Sequence, residues 1–200
     1  MSPSQLGRQS ENDMNPFQGL GILWQRLTRQ GPGVTLLWAA DHAVRLVTGA
    51  PIRRVSQITP YLHVGGQYRR RGWSSLASRG VAAVVNMRLE FDDNDAGIVP
   101  PRYLYLPTVD DAAPALEQLR SGVAFISEGI AGRQGIYVHC GSGVGRAPTM
   151  AAAYLVSTGL TPEQAWARIR DARPFIRPTA AQVEQLRRFA AQSPATRVKC

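Results

Sequence analysis

The sequence predicts an α/β fold, a three-layer sandwich in which a mostly parallel central sheet is flanked by helices. Strand-length apolar runs alternate with helical patterns along the chain, as expected for strand–helix–strand units. The run from Val81 to Met87 is apolar throughout, which is typical of a strand covered on both faces. Residues 135–155, GIYVHCGSGVGRAPTMAAAYL, read as a strand, a glycine-rich loop and a helix.

The length of 200 residues allows one domain with a sizeable core and a modest extension. We expect a disordered tail over residues 1–16, a helical extension over 17–54, a catalytic domain over 55–192 and a C-terminal tail over 193–200. The first 16 residues lack the apolar core of a cleavable signal.

The chain is basic, with 23 Lys and Arg against 14 Asp and Glu, a net charge of +9. This charge suits an acidic partner such as a phosphorylated substrate or an anionic membrane, although a solvated basic surface explains it equally well. We expect no nucleic-acid partner and favour a monomer. The two cysteines, Cys140 and Cys200, make a disulfide framework improbable and indicate a reducing, cytoplasmic compartment.

Two helices are predicted before the catalytic domain. Leucines and a tryptophan at helical spacing predict the first over 17–30, and Gly31-Pro32-Gly33 ends it. The second, Val34 to Val47, is too short and too charged to span a bilayer. We favour packing of this second helix on the catalytic domain. The alternative is a helix in a membrane interface, peripheral to the bilayer and assisted by Arg45, Arg53 and Arg54.

The remaining elements follow in the order that a parallel sheet requires. Strands are expected at 58–64, 81–87, 103–106 and 136–138. Helices are expected at 73–79, 115–131, 146–158, 162–173 and from Thr179 to about Ala191. Pro162 lies in the first turn of its helix, where the missing N–H is tolerated. Two basic stretches either lie near a substrate groove or face water: Arg69 to Arg71, and Arg168 to Arg177.

The glycine-rich loop carries the clearest chemical signal, because five residues separate Cys140 from Arg146. A loop of this length before a helix can turn its N–H groups inward and bind an anion. The positive field there favours a thiolate, and the planar guanidinium can hold two phosphoryl oxygens at once. The predicted phosphate-binding residues are Gly141, Ser142, Gly143, Val144, Gly145 and Arg146. Taken singly, the cysteine could be inert and the arginine solvated, but the two together at this spacing favour function.

The stretch HCGSGVGRAPT resembles the signature of the cysteine-dependent dual-specificity phosphatases, and ITPYLHVGG resembles their opening strand. The resemblance runs from about Val55 to about Ala190 and implies Cys140 as the nucleophile. It also implies that His139 restrains the start of the loop and helps to keep the thiol ionised. The sequence departs from the family at Ala147, where the family has a hydroxyl that supports the thiolate as a leaving group. Thr149 and Ser142 are near in sequence, but the sequence does not place either hydroxyl at the thiol.

Asp110 and Asp111 follow the strand at 103–106, and parallel strands bring their carboxyl ends to one edge of a sheet. A general acid is needed there to protonate the leaving oxygen. The resemblance favours Asp110 by its spacing from Leu116, with Asp111 as a supporting residue. Either aspartate could instead cap the helix that begins near Pro114.

These observations predict a phosphatase that works through a covalent phosphocysteine, with Cys140, Arg146 and Asp110 as its catalytic residues and without a metal or another cofactor. The resemblance favours phosphorylated proteins as substrates. Alternatives are a phosphatase of phospholipid headgroups at a membrane surface, a catalytically weak phosphate-binding module, and a sulfur-transfer or arsenate-reducing enzyme. Because the loop interior has no lysine or arginine, a polyphosphoinositide is disfavoured.

Overall fold

The structure is a computed structural model that describes residues 21, 27–98 and 100–192. The tails expected at 1–16 and 193–200, with Cys200, lie outside the described residues. So does most of the helix expected at 17–30, of which residues 21 and 27–30 are described and helical.

The central sheet has four strands, all parallel, in the order β1-β4-β2-β3. The strands are β1 (Leu62–Gly66), β2 (Val81–Arg88), β3 (Arg102–Thr108) and β4 (Gly135–Cys140). β4 lies between β1 and β2, and all six of its residues are buried. The expected α/β class and parallel sheet are therefore confirmed. The carboxyl ends of the four strands meet at one edge, and the functional loops follow them.

Helices cover both faces of this sheet. They are α1 (Pro32–Thr48), α2 (Trp73–Ala77), α3 (Leu116–Ala131), α4 (Arg146–Ser157), α5 (Pro162–Ala172) and α6 (Ala180–Gln192). The larger core cluster joins α3, α4, α5 and α6 to β1, β2 and β4, with Ile136 and Val138 among its members. A smaller cluster around Tyr68 and Val84 closes the opposite face. Burial of each such side chain contributes roughly 1.5–3 kcal/mol.

The first strand begins later than expected, at Leu62 and not at Ile58. The chain turns before it, since the N–H groups of Ile58 and Thr59 both donate to the Leu62 carbonyl. Gly65 and Gly66 belong to the strand and do not end it. A Cβ at Gly65 would lie 2.1 Å from the Tyr137 hydroxyl, so only glycine permits this pairing with β4.

Helix α1 packs on the catalytic domain, as favoured from the sequence. Its buried side carries Thr35, Asp41 and Arg45. The alternative of a helix in a membrane interface gave Arg45 a role there, but its side chain is buried against the domain. Within residues 27–98 and 100–192, none of the helices combines the length and the hydropathy needed to cross a membrane.

Candidate active site

The loop between β4 and α4 lies at the carboxyl edge of the sheet. Cys140 is the last residue of β4 and is buried, and Arg146 is the first residue of α4. The two residues therefore flank a five-residue loop, as the sequence predicts.

The backbone carbonyls of this loop all point away from its centre, because donors outside the loop hold each of them. Gly141 accepts from the Gln67 N–H at 2.9 Å, Ser142 and Gly143 accept from the Arg173 guanidinium at 3.1 and 2.7 Å, Val144 accepts from the Arg177 N–H at 2.7 Å, and Gly145 accepts from the Thr149 hydroxyl at 2.9 Å. In a trans peptide the N–H points opposite to the C=O. The N–H groups from Ser142 to Arg146 therefore face the loop interior, and none of them donates to an acceptor in the part of the chain that the structure describes.

Gly143 allows the loop to pack directly on β1. Its φ is +69°, and a Cβ there would lie 2.2 Å from the carbonyl carbon of Gly65. Glycine tolerates this backbone conformation, whereas other residues are strained in it.

The guanidinium of Arg146 is only 1% exposed and is held on two sides. Nη1 donates to the Thr108 carbonyl at 2.7 Å, and both Nη atoms bind the carboxylate of Glu90 at 2.8 Å. Nε is buried and has no hydrogen-bond partner among the described residues. Burial alone would lower the pKa of Arg146, but its hydrogen bonds to Glu90 and the nearby Cys140 raise it.

Glu90 is a site residue that was not among those predicted from the sequence. Burial would raise the pKa of this carboxyl, but hydrogen bonds from Arg146 outweigh that effect and lower it to about 2. Its position just after β2 was the available signal, because loops that follow parallel strands converge on one edge.

Of the two candidate acids, the structure brings Asp110 to the loop. Its Oδ1 lies 2.8 Å from Nη2 of Arg146, while the side chain remains 77% exposed at the mouth of the site. Asp111 has a positive φ of 59° and an exposed side chain, and its carbonyl accepts from the Thr179 hydroxyl at 3.1 Å. Neither aspartate caps α3, because Ala115 is its N-cap residue. The capping alternative is therefore wrong.

The loop that carries Asp110 is held by the start of α6. Three side chains donate to carbonyls of this loop: Thr179 to Asp111 at 3.1 Å, Gln182 to Ala112 at 2.9 Å, and Gln185 to Pro114 at 2.8 Å. Gln182 also lies against the phosphate loop, since a Cβ at Gly145 would lie 2.9 Å from its Oε1. One buried side chain thus fixes the distance between the two loops.

His139 precedes the thiol and is fully buried. Its Nε2 lies 2.7 Å from Oδ2 of Asp93, and the other carboxylate oxygen accepts from Gln67 at 2.7 Å. The ring stacks on Tyr137, with a centroid distance of 5.9 Å. Asp93 therefore fixes the orientation of His139, which sequence reasoning missed.

The arginines expected near a substrate groove or in solvent have different positions. Arg173 is fully buried beneath the loop, so neither expectation holds for it. Burial lowers its pKa, and the neighbouring carboxylate of Asp41 opposes this effect. The side chains of residues 69–71 are exposed and line a cavity of about 560 Å³ next to Phe91.

Ala147 is fully buried in α4, so no hydroxyl is present at this position. The Thr149 hydroxyl donates to the Gly145 carbonyl and cannot also serve the thiol as a donor. Ser142 is half-buried, and its carbonyl is held by Arg173. The site thus combines a buried thiol, inward N–H groups, an arginine edge and an exposed carboxyl group, which suits nucleophilic attack on a tetrahedral oxyanion.

Comparison with known proteins supports this interpretation. A family model described as a polymorphic toxin system DSP-PTPase phosphatase matches residues 65–160. The chain is 28% identical over 205 residues to mouse protein phosphatase Slingshot homolog 3. This alignment covers 92% of this chain and 31% of that protein. The chain is also 37% identical over 98 residues to human phosphatidylglycerophosphatase and protein-tyrosine phosphatase 1. This alignment covers 48% of this chain and 49% of that protein.

The chain therefore spans about a third of the Slingshot protein and half of the human relative. Among solved structures, PTPMT1 in complex with PI(5)P superposes with a TM-score of 0.63 at 27% identity, covering 68% of this chain and 94% of that one. In both sequence and fold, this chain is similar to the dual-specificity phosphatases.

Proposed function

We propose that this protein hydrolyses phosphomonoesters through a covalent phosphocysteine, acting on phosphotyrosine, phosphoserine or phosphothreonine of proteins. The outward orientation of all five loop carbonyls carries this proposal. It leaves a row of N–H groups and the free Nε of Arg146 around the end of β4, where Cys140 lies. Such an array binds the equatorial oxygens of a phosphoryl group in its transition state.

In the first step, Sγ of Cys140 attacks phosphorus, an S–P bond forms and the bond to the leaving oxygen breaks. The N–H groups from Ser142 to Arg146 and the Nε edge of Arg146 bind the phosphoryl oxygens. Asp110 must leave Nη2 of Arg146 as the substrate enters, and in its protonated form it donates a proton to the leaving oxygen. Its exposed position at the mouth suits this movement.

In the second step, water attacks the phosphocysteine and the S–P bond breaks. The carboxylate of Asp110 accepts the proton of that water, and inorganic phosphate and the Cys140 thiolate are released. No hydroxyl at residue 147 supports the departing thiolate, so we propose that this step limits the rate. Glu90 and Asp93 act indirectly, because they hold Arg146 and His139 in place.

The protein substrate is supported by the loop and by the relatives. The interior of the loop has no lysine or arginine with which to bind additional phosphates of an inositol lipid. The mouse relative is named a protein phosphatase. The open mouth around the exposed Asp110 also leaves room for a side chain projecting from a protein surface.

The test is vanadate-sensitive hydrolysis of an aryl phosphate by the wild type and by Cys140→Ser, together with trapping of the phosphoenzyme by acid quench and mass spectrometry. We expect activity and a phosphate adduct on Cys140 in the wild type, and neither in the variant. Activity that survives Cys140→Ser would refute the mechanism. Binding of vanadate without turnover would support the phosphate-binding module instead.

A second candidate is a phospholipid-headgroup phosphatase that contacts an anionic membrane peripherally. The observation that favours it is an apolar stripe on α1, formed by Leu36, Ala40, Ala43 and Val47 at helical spacing. Leu36 and Val47 are 70% and 76% exposed. The C-terminal end of this stripe lies next to the exposed arginines 69–71, since Arg71 donates to the Leu46 carbonyl. Basic groups beside an apolar helix face suit an anionic surface.

Flotation with anionic and zwitterionic vesicles tests this candidate. Point substitutions are preferable to deletion of residues 1–50, because α1 also packs under the catalytic loop. We expect Leu36→Ser with Val47→Ser to abolish binding to anionic vesicles without changing aryl phosphate hydrolysis. Binding that is unchanged in this double variant would remove the support for the membrane contact.

A further inference from the structure

Helix α1 precedes residues 65–160, the segment matched by the family model, and yet two of its charged side chains reach the catalytic loop. These side chains, Asp41 and Arg45, lie four residues apart and therefore project from the same face of the helix. Both are buried, although charged side chains are almost never buried without a partner.

Arg45 holds the first peptide of the loop. Its Nη1 donates to the Gln67 carbonyl at 2.8 Å and to the Gly141 carbonyl at 3.3 Å. Its Nη2 donates to Nδ1 of His42 at 2.9 Å, which fixes the plane of the guanidinium. A Cβ at Gly66 would lie 2.8 Å from Cζ of Arg45, so glycine at the end of β1 makes room for this arginine.

Asp41 acts on the next two peptides through Arg173. Its Oδ1 accepts from the Ile52 N–H at 2.9 Å, and its Oδ2 lies 3.3 Å from Nη2 of Arg173. Arg173 in turn donates to the Ser142 and Gly143 carbonyls. A fully buried guanidinium needs a compensating charge, because an unpaired buried charge is strongly destabilising. Asp41 is the one carboxylate that forms an ion pair with Arg173 among the described residues.

We propose that α1 is part of the phosphate-binding apparatus, with Arg45 and Asp41 as positioning residues that keep the first three loop carbonyls turned outward. The proposal deepens the phosphatase function above and rests on it. A carbonyl that turned inward would replace an N–H donor by an oxygen with partial negative charge, facing a phosphoryl oxygen. The helix therefore contributes to transition-state binding although it makes no contact with the substrate.

The experiment compares Arg45→Gln and Asp41→Asn with Arg168→Gln, which removes an exposed arginine of α5 and serves as a charge-matched control. Two quantities are measured on protein that circular dichroism shows to be folded: kcat/KM for an aryl phosphate, and the Kd of tungstate by calorimetry. We expect each α1 variant to lower kcat/KM and to weaken tungstate binding by about tenfold, the effect of losing a hydrogen bond to a charged group. Arg168→Gln should change neither quantity by more than about twofold.

Arg45→Lys keeps the charge and one donor nitrogen, so we expect it to recover most of the lost tungstate affinity. If Arg45→Gln fails to fold, this variant and Asp41→Asn decide the question. Folded variants with wild-type kcat/KM and wild-type tungstate affinity would overturn the proposal. Failure of the phosphatase function would be distinguishable, since the wild type would then bind tungstate without hydrolysing the ester.

Discussion

Glu90 binds the guanidinium of Arg146 at two points, with Oε2 2.8 Å from Nη1 and Oε1 2.8 Å from Nη2. Two parallel hydrogen bonds fix the plane of the guanidinium as well as its position. Nε is left without a hydrogen-bond partner among the described residues. The orientation of Arg146 is therefore settled before any phosphate arrives, by a residue that lies 56 positions earlier in the chain.

Glu90→Gln keeps the shape of this side chain and removes its charge. We expect kcat/KM for an aryl phosphate to fall roughly tenfold, because Arg146 loses a charge-assisted hydrogen bond and its fixed orientation. The effect should be moderate, since the carboxylate is 42% exposed and partly screened by water. Glu117→Gln, which changes an exposed glutamate of α3, serves as the control and should leave kcat/KM unchanged. Equal kcat/KM for both variants would remove the role given to Glu90.

The ion pair also bears on the pH dependence. The pKa of Glu90 is lowered to about 2, so the carboxylate is ionised in the folded protein throughout the range in which enzymes are assayed. Its contribution to stability is present above the unfolded value, about 4.3 to 4.5, and is lost as the pH falls toward 2. An inflection in a pH–rate profile above pH 4 therefore belongs to a different group.

Asp110→Asn removes the proposed acid. We expect kcat/KM for phenyl phosphate to fall at least about 100-fold and the basic limb of the pH profile to disappear, because no proton can be donated to the leaving oxygen. An ester with a better leaving group should be less affected. Asp111→Asn is the matched control, since asparagine tolerates the positive φ at that residue. If Asp111→Asn caused the larger loss, the assignment would be reversed.

Ala147→Ser introduces a hydroxyl at the start of α4, in the turn that follows the loop. We expect kcat to rise roughly fivefold to tenfold, since a hydrogen bond to the departing thiolate should speed breakdown of the phosphoenzyme. Rapid-quench kinetics should show a burst close to one equivalent in the wild type and a smaller burst in the variant. Ala153→Ser, on the same helix, should not change kcat. The absence of a burst in the wild type would contradict a slow second step.

Gly143→Ala and Gly80→Ala separate the effect of backbone strain from the effect of steric overlap. Both glycines have a positive φ, but only Gly143 has other atoms close to the position of a Cβ. Gly80→Ala should lower the free energy of unfolding by about 1–2 kcal/mol through backbone strain and leave kcat/KM unchanged. Gly143→Ala should cost more stability and abolish hydrolysis, because its Cβ would overlap the carbonyl of Gly65. Urea unfolding and the aryl phosphate assay measure both effects. Similar results for the two variants would mean that the loop can shift away from β1.

Because His63 is buried, we expect the free energy of unfolding to fall at low pH. His63 is buried in β1, and burial, with smaller effects from Arg79 and Arg53, lowers its pKa to about 4. The folded protein therefore favours the neutral imidazole, and its stability is greatest above the unfolded value of about 6.5. As the pH falls from 6.5 toward 4, the wild type should lose about 3 kcal/mol that His63→Leu does not lose. Urea unfolding of both proteins at pH 8 and pH 4.5 measures this loss. The prediction is contradicted if the difference in free energy of unfolding between the wild type and His63→Leu is the same at both pH values.

The features that the sequence predicted are local ones. The spacing of Cys140 and Arg146 lies within one strand–loop–helix unit, and the apolar run of β2 reports its burial directly. Asp110 could be placed near the loop because parallel strands share a carboxyl edge. From Pro32 onward, the predicted helices agree with the structure to within about two residues, since proline, glycine and capping residues mark their ends.

The features that the sequence did not predict are pairs between distant polar residues. Three such pairs are Glu90 with Arg146, 56 residues apart, Asp93 with His139, 46 residues apart, and Asp41 with Arg173, 132 residues apart. Periodicity reports which face of an element is apolar, but it cannot report which distant charge will neutralise a buried one. Arg45 was therefore assigned only to a possible membrane interface, and Arg173 only to a substrate groove or to solvent.

The donors that hold the loop carbonyls come from both ends of the chain, and this has a consequence for biosynthesis. A ribosome delivers Cys140 and Arg146 before it delivers Arg173 and the Arg177 N–H, which hold the middle of the loop. We expect the nascent chain to carry the complete signature without an organised anion site. Hydrolytic activity should then appear only after α5 and the segment that follows it have left the exit tunnel, although Cys140 and Arg146 are already present in the unfinished polypeptide.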